Sequence, residues 1–224
     1  MHPGTVHSCP LASIRSLCSA AVFGWLLVGF AAAQNENATP RELFQSAVDL
    51  YFAAKPKESV AAFDRLIKLQ PDAKPGLWQR GLALYHAGMF KEGRDQFEVH
   101  QTVNPNDVEN AAWHFICVAR ASGIEEARKH LIPIKGDTRV PMKEVHDLFA
   151  GKGTADDVMK AAGSGDESAR RNQLCYAHLY LGLYYEALGD TAKAKDHMVK
   201  AAGDYKMDHY MGKCAQVHVK LRGW

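Results

Sequence analysis

Apolar residues recur along most of this chain at intervals of three and four positions, the spacing of one face of an α-helix. Between Leu77 and Pro105 the pattern predicts two such helices, separated at Gly88 and ended by the proline, which cannot continue a helix. No segment shows the strict alternation of apolar and polar residues that is typical of strands. The pattern therefore predicts an all-α fold.

The helix pair between Leu77 and Pro105 repeats a pair that lies 34 residues earlier. Four positions align under this shift: Ala47 with Gly81, Tyr51 with Tyr85, Phe63 with Phe97, and Pro71 with Pro105. This period, with small and aromatic residues in this order, resembles the tetratricopeptide repeat. The resemblance implies a TPR-type α-solenoid of stacked antiparallel helix pairs.

The repeat spacing predicts one domain over residues 40–224. Regular repeats are expected at about 40–73 and 74–107, and a degenerate one at about 108–141, where Pro133 shortens the second helix. Two short helices are predicted in the middle segment, over 141–149 and 155–162. The spacing returns at about 175–208, and a capping helix at about 208–221 would cover the open end of the stack.

Residues 1–33 predict an export signal, followed by a short polar lead at 34–39. They contain no acidic residue, become apolar or small from Leu17 onward, and end in Ala31, Ala32 and Ala33. An uncleaved membrane anchor is the alternative, although this apolar stretch lies at the short limit of about 17–25 residues for spanning. We expect an exported protein, periplasmic or secreted, with no membrane insertion after cleavage.

The balance of charge argues against a nucleic-acid partner. The chain has 27 basic and 25 acidic residues, a net charge of +2, and no run of lysine or arginine stands out. A nucleic-acid site needs clustered positive charge. We therefore expect a protein or peptide partner.

Three cysteines remain after the predicted signal, too few for a disulfide framework. We interpret them as packing residues, although a disulfide between two of them remains open. Each has a histidine one helical turn away, in the pairs His114–Cys117, Cys175–His178 and Cys214–His218. Such spacing suits metal ligation, and it motivates the alternative hypothesis of a metal-dependent or hydrolase-like enzyme.

The motifs of common enzymes are missing from the sequence. It contains no Gly-x-Ser-x-Gly elbow, no His-Glu-x-x-His pair and no phosphate loop, and the three Cys/His pairs fall on different predicted helices. We therefore predict a non-enzymatic protein with no metal and no cofactor.

The first helix of each repeat is expected to line a concave groove, where stacked repeats bind extended peptides. The predicted partner-binding residues are Phe44, Val48, Tyr51, Phe52, Trp78, Leu82, Tyr85, His86, Ile116 and Arg120. Phe52 and His86 follow Tyr51 and Tyr85 by one residue, a rotation of about 100° that should turn them towards the open groove. The alternative is that Trp78 and Tyr85 belong to the core between repeats.

A polar cluster is also predicted near the break in the repeat pattern. Its members are Arg80, Glu109, His114, Arg120, Asp137 and Arg139. Charged residues beside apolar positions in an irregular segment are typical of a site. The alternative is a set of salt bridges that ties the irregular segment to the repeats.

The order of the parts further resembles the NlpI-like periplasmic lipoproteins. The residues concerned are Trp113, Phe149 followed by Gly151, and the run from Tyr180 through Tyr185 to Gly189-Asp190. This resemblance implies an envelope adaptor that brings proteases and cell-wall hydrolases together, usually as a homodimer. The chain lacks the lipobox of that family. Our leading hypothesis is an exported scaffold.

Overall fold

The computed structural model describes residues 37–224, so the predicted signal at residues 1–33 lies outside the described part of the chain. Within residues 37–224 every regular element is a helix and no strand is present. The predicted all-α fold of stacked helix pairs is confirmed.

The first four α-helices form two pairs, as the repeat spacing predicts. Helices α1 (Pro40–Phe52) and α2 (Pro56–Leu69) pack together, as do α3 (Trp78–His86) and α4 (Phe90–Gln101). A short 3₁₀ helix over Pro71–Gly76 links the pairs and was not predicted.

The third unit is shortened, and a longer helix follows it. Helix α5 (Val108–Ser122) packs on the brief α6 (Ile124–Lys129), and two short helices, α7 (Met142–Phe149) and α8 (Ala155–Ala162), lie in the middle segment. A final pair is formed by α9 (Glu167–Ala187) and α10 (Thr191–Ala202), before α11 (Tyr210–Arg222) ends the chain.

Local sequence signals explain where several helices begin. Thr39 and Glu42 form a capping box before α1, and Thr154 and Asp157 form another before α8. Helix α9 starts about eight residues before the predicted position because the Asp166 carboxylate caps it by accepting from the Ala169 N–H.

Two glycines allow helices to approach closely within their pairs. A Cβ atom built on Gly81 would lie 2.4 Å from Cζ of Phe97, and one on Gly182 would lie 2.9 Å from Cε of Met198. Real Cβ atoms do not come so near to other heavy atoms. The close approach of α3 to α4, and of α9 to α10, therefore requires glycine at these two positions. Gly81, the small residue of the 34-residue repeat, therefore lies at a close helix crossing.

Helix α11 lies near its predicted place in the sequence but does more than cap the stack. It packs on α9 and α10 and also reaches back to α1. The Tyr210 ring stacks on Tyr51, with centroids 6.1 Å apart, and meets the edge of Trp78 at 4.7 Å. Near its other end, Lys220 Nζ donates to the Ala53 carbonyl oxygen at 3.3 Å. The C-terminal helix thus covers part of the surface that the first helices share.

Among the helices of residues 37–224, none is both long enough and apolar enough to span a bilayer.

Candidate functional site

Much of the predicted groove lies beneath α11 or within the core. Five of its ten residues are buried: Tyr51, Leu82, Tyr85, His86 and Ile116. Phe44, Val48, Phe52 and Trp78 are partly exposed, and Arg120 is exposed. The expectation that His86 faces an open groove is wrong, since only 8% of it is exposed. The binding role of the ten residues stays a prediction.

A chain of buried polar contacts joins α11 to the first helices. The Leu82 carbonyl oxygen accepts at 2.9 Å from Nδ1 of His86, which leaves Nε2 of His86 to accept from Nδ1 of His218 at 3.2 Å. The Tyr51 hydroxyl contacts Sγ of Cys214 at 3.0 Å. Burial lowers the pKa of His86 to about 4 and that of His218 to about 3, so both rings are neutral at neutral pH.

The surface left open by α11 contains a cavity of about 380 Å³. It lies between α3, α4, α5, α9 and the start of α11, and we call it the inner cavity. Its aromatic lining consists of Trp78, Phe97, Trp113, Tyr176 and Tyr210. Its volume falls within the range of about 300–1,000 Å³ that is usual for small ligand sites.

The polar lining of the inner cavity is acidic. Its polar residues are His100, Asn104, Asp107, Glu109, Asn110 and His209, and within residues 37–224 neither lysine nor arginine lines it. The backbone places both carboxylates here, since Asp107 is the N-cap of α5 and Glu109 lies in its first turn.

Arg139 forms ion pairs with both of these carboxylates. Its guanidinium contacts Glu109, lies 2.5 Å from Oδ1 of Asp107 and 2.6 Å from Oδ2 of Asp137. The Tyr180 hydroxyl donates to Oε2 of Glu109 at 2.8 Å. Burial raises the pKa of Glu109 to about 7, and the nearby Asp107 carboxylate also raises it, against the lowering effect of Arg139.

The predicted polar cluster is therefore only partly assembled. Glu109, Asp137 and Arg139 meet, and they tie the segment between α6 and α7 to the start of α5. The other three members pair elsewhere: Arg80 with Asp64 at 2.7 Å, His114 with Glu98 at 3.2 Å, and Arg120 with Glu186 at 3.5 Å. These side chains belong to other helices and point to other neighbours.

Sequence reasoning missed Asp107 and Tyr180 as members of the cluster. Asp107 carried a usable signal, because an aspartate directly before an apolar helical pattern is a typical N-cap. Tyr180 carried none, since its contact with Glu109 joins residues that are 71 positions apart.

Four buried polar atoms of cavity-lining residues have no hydrogen-bond partner within residues 37–224. They are Oδ1 of Asn110, Nε1 of Trp113, Nε2 of His209 and the Tyr210 hydroxyl. Leaving one such atom unpaired costs about 1–3 kcal/mol. These atoms have hardly any accessible surface, so a polar ligand in the cavity would reach them only by displacing neighbouring side chains.

The Cys/His pairs do not come together. Cys117, Cys175 and Cys214 are free and buried, and burial raises the pKa of Cys175 to about 11 and that of Cys214 to about 12. Such thiols stay protonated at neutral pH when no metal is bound, whereas nucleophilic attack needs the thiolate. Within residues 37–224, no group of three histidine, cysteine, aspartate or glutamate side chains is placed to hold a metal ion.

A comparison with protein families identifies one segment of the chain. The family model described as Tetratricopeptide repeat matches residues 176–205. This segment covers the second half of α9 and all of α10, the pair that crosses closely at Gly182. Together with the stacked helix pairs that precede it, the match supports a tetratricopeptide-repeat protein.

Proposed function

We propose that the protein is an exported, non-enzymatic scaffold that binds a peptide segment of a partner protein in the inner cavity. The observation that carries this proposal is the cavity itself, an opening of about 380 Å³ between helices α3, α4, α5 and α9 and the start of α11. Tetratricopeptide and other helical-repeat proteins bind partners through surfaces of this kind.

The chemistry of the inner cavity favours a peptide as its occupant. The amide of Asn110 uses its nitrogen to donate to the Phe97 carbonyl and the Gln101 side chain, so its free oxygen is an acceptor. Nδ1 of His209 accepts from the Gly212 N–H, so the proton lies on Nε2, which is a free donor. A peptide backbone offers both an N–H and a carbonyl oxygen, whereas a purely apolar ligand would satisfy neither group.

The cavity also defines a smaller binding surface than the sequence predicted. Helix α11 covers Tyr51 and His86, so a partner has access to the part of the groove near Trp78 and Tyr176, both of which are partly exposed. We therefore assign recognition to a short segment rather than to a long helix lying along the whole groove.

The proposal is tested by selecting binders from a displayed library of random peptides with the purified protein. Tyr176 lines the cavity, with its ring stacked 5.0 Å from His209. Tyr176→Ala should lower the affinity for the selected peptides at least about tenfold, equivalent to about 1.4 kcal/mol of binding free energy. The matched control is Tyr205→Ala, because Tyr205 is also partly exposed but stacks on His178 outside the cavity. Selection of no peptide, or equal binding by both variants, would contradict the proposal.

Export and an adaptor role in the cell envelope complete the proposal. They rest on the apolar segment before Gln34 and on the resemblance to NlpI-like lipoproteins. N-terminal sequencing of protein recovered from cells should give Gln34 as the first residue. An intact N-terminus on membrane-bound protein would instead support the anchor. Sedimentation of the purified protein would show whether it forms the homodimer that the same resemblance implies.

A further inference from the structure

The carboxylates beside the inner cavity are not balanced by the charge around them. Asp107 and Asp137 contribute two negative charges, Glu109 contributes a third when it is ionised, and Arg139 contributes one positive charge, which leaves one or two negative charges. In the part of the chain that the structure describes, no lysine or arginine lines the cavity to compensate this charge. Because Asp107 and Glu109 line it, the excess charge faces the bound ligand.

The aromatic walls of the cavity favour the same type of ligand. Trp78 and Tyr210 meet edge to face with centroids 4.7 Å apart, and Trp113 and Tyr176 also line the cavity. Aromatic faces attract cations, and indole does so most strongly among the protein side chains. Carboxylates combined with aromatic walls are therefore complementary to a positively charged nitrogen.

Two unpaired atoms of lining residues would bond a polar group of a ligand that displaces the side chains now covering them. Asn110 is 3% exposed and Trp113 is 1% exposed, yet Oδ1 of the first and Nε1 of the second have no partner within the described chain. Oδ1 can accept from a ligand N–H, and Nε1 can donate to a ligand carbonyl oxygen. The two requirements together fit a peptide with a nitrogen-bearing side chain better than a free amine.

We propose that the inner cavity recognises a basic side chain, the ammonium of lysine or the guanidinium of arginine, within the partner's peptide segment. The charged nitrogen lies against Asp107, Glu109 and the aromatic walls, while Asn110 and Trp113 bond the adjacent backbone. This inference rests on the proposed peptide-binding function and gives its specificity. The raised pKa of Glu109, caused first by burial and then by Asp107, is consistent with a site that gains stability when a cation enters.

The test uses peptides selected from the display library and variants of them in which each lysine or arginine is replaced by norleucine. Binding is followed by tryptophan fluorescence in protein that starts at Gln34, and so lacks Trp25, and that carries Trp224→Phe. The two remaining tryptophans, Trp78 and Trp113, both line the cavity. Norleucine should weaken binding at least about tenfold, and rising salt should weaken the basic peptide but not its norleucine counterpart. Butylammonium alone should bind far more weakly than the peptide, since it lacks the backbone groups.

Charge-neutralising variants locate the effect in the protein. Glu109→Gln and Asp107→Asn should each reduce the preference for the basic peptide over the norleucine peptide by about fivefold or more. The matched control is Glu92→Gln, because Glu92 is exposed and does not line the cavity. Thermal melts identify any variant that has lost its fold, and the salt dependence on wild-type protein tests the inference without any substitution.

The outcomes separate the two proposals. If no peptide binds, the proposed function fails and the inference fails with it. If peptides bind, yet norleucine, salt and Glu109→Gln all leave their affinity unchanged, the cavity binds peptides without recognising charge and only the inference is overturned. Equal binding of butylammonium and the peptide would assign the site to a free organic cation instead.

Discussion

Replacing Gly81 by leucine tests the helix crossing on which the second repeat depends. The backbone of α3 passes so close to Phe97 that a Cβ at this position would lie 2.4, 2.7 and 2.8 Å from three atoms of the ring. Phe97 cannot move outward freely, because it is 1% exposed and stacks on Trp113 with centroids 6.5 Å apart. The ring must move by about 1 Å or more to reach an ordinary carbon–carbon contact of about 3.5–4.0 Å.

The expected cost can be worked from this geometry. Adding methylene groups to a packed core costs about 1–3 kcal/mol, and four added carbons against a fixed ring place Gly81→Leu near the upper end. Leucine returns up to about 1 kcal/mol because it favours the helix more than glycine does. A net loss of about 2 kcal/mol should lower the melting temperature by about 4–8 °C in a chain of this size.

Urea unfolding followed by far-ultraviolet circular dichroism measures this change. Gly76→Leu is the matched control, because a Cβ at Gly76 meets nothing within 4 Å and the residue is exposed. A double variant with Phe97→Ala should lose less than the sum of the two single changes, since the new leucine occupies space that the ring leaves. The close crossing at Gly81 would be refuted if Gly81→Leu were as stable as the wild type. It would also be refuted if the losses of unfolding free energy from Gly81→Leu and Phe97→Ala simply added in the double variant.

Further predictions concern the buried polar groups. Replacing Phe52 and His86 together by alanine should lower the melting temperature well beyond the change from Phe52→Ala alone, because His86 makes buried hydrogen bonds to Leu82 and His218. Equal melting temperatures for the single and double variants would contradict the burial of His86. The folded state holds His86 and His218 with pKa values of about 4 and 3, below the ordinary 6.5. The unfolded chain therefore binds more protons than the folded one, and the free energy of unfolding should fall as the pH drops below about 6.5. Urea unfolding across this pH range measures the decline, which should be less steep in His218→Phe. Glu109 has the opposite effect, because its pKa is raised from 4.5 to about 7 in the folded state. Its contribution to the free energy of unfolding is therefore lost as the pH rises from about 4.5 to about 7, and Glu109→Gln should flatten this decline in the same assay. Arg139→Ala removes the positive charge that pairs with the Asp137 and Glu109 carboxylates, so it should speed hydrogen exchange between α6 and α7. Unchanged exchange would show that this ion pairing does not order the segment.

How far the sequence predicts this protein depends on the distance over which each feature is determined. The helix starts at Thr39 and Thr154 rest on capping boxes between residues three positions apart, a pattern that is visible in the sequence alone. The crossing at Gly81 follows from the 34-residue repeat, because each helix pair must solve the same packing problem. These features are local or periodic, and a single sequence is enough to predict them.

The candidate site was predictable only in part. Glu109, Asp137 and Arg139 stand near the break in the repeat pattern, and they do meet. His114 stands as near to that break in the sequence, yet it turns to Glu98 on the neighbouring helix α4. Residue type and proximity along the chain do not determine which side of a helix faces which neighbour, so the cluster could not be separated from its surroundings.

The position of α11 was decided by tertiary structure alone. The sequence predicted a helix at about 208–221 and an inner surface on the repeats, but it did not determine that the helix lies on that surface. The contacts that hold it there join distant residues, as in Tyr51 with Cys214 and His86 with His218. Such contacts depend on how all the intervening helix pairs stack, and no local sequence pattern determines the combined result of that stacking. The inner cavity exists for the same reason: it is the part of the surface that α11, once placed, does not fill.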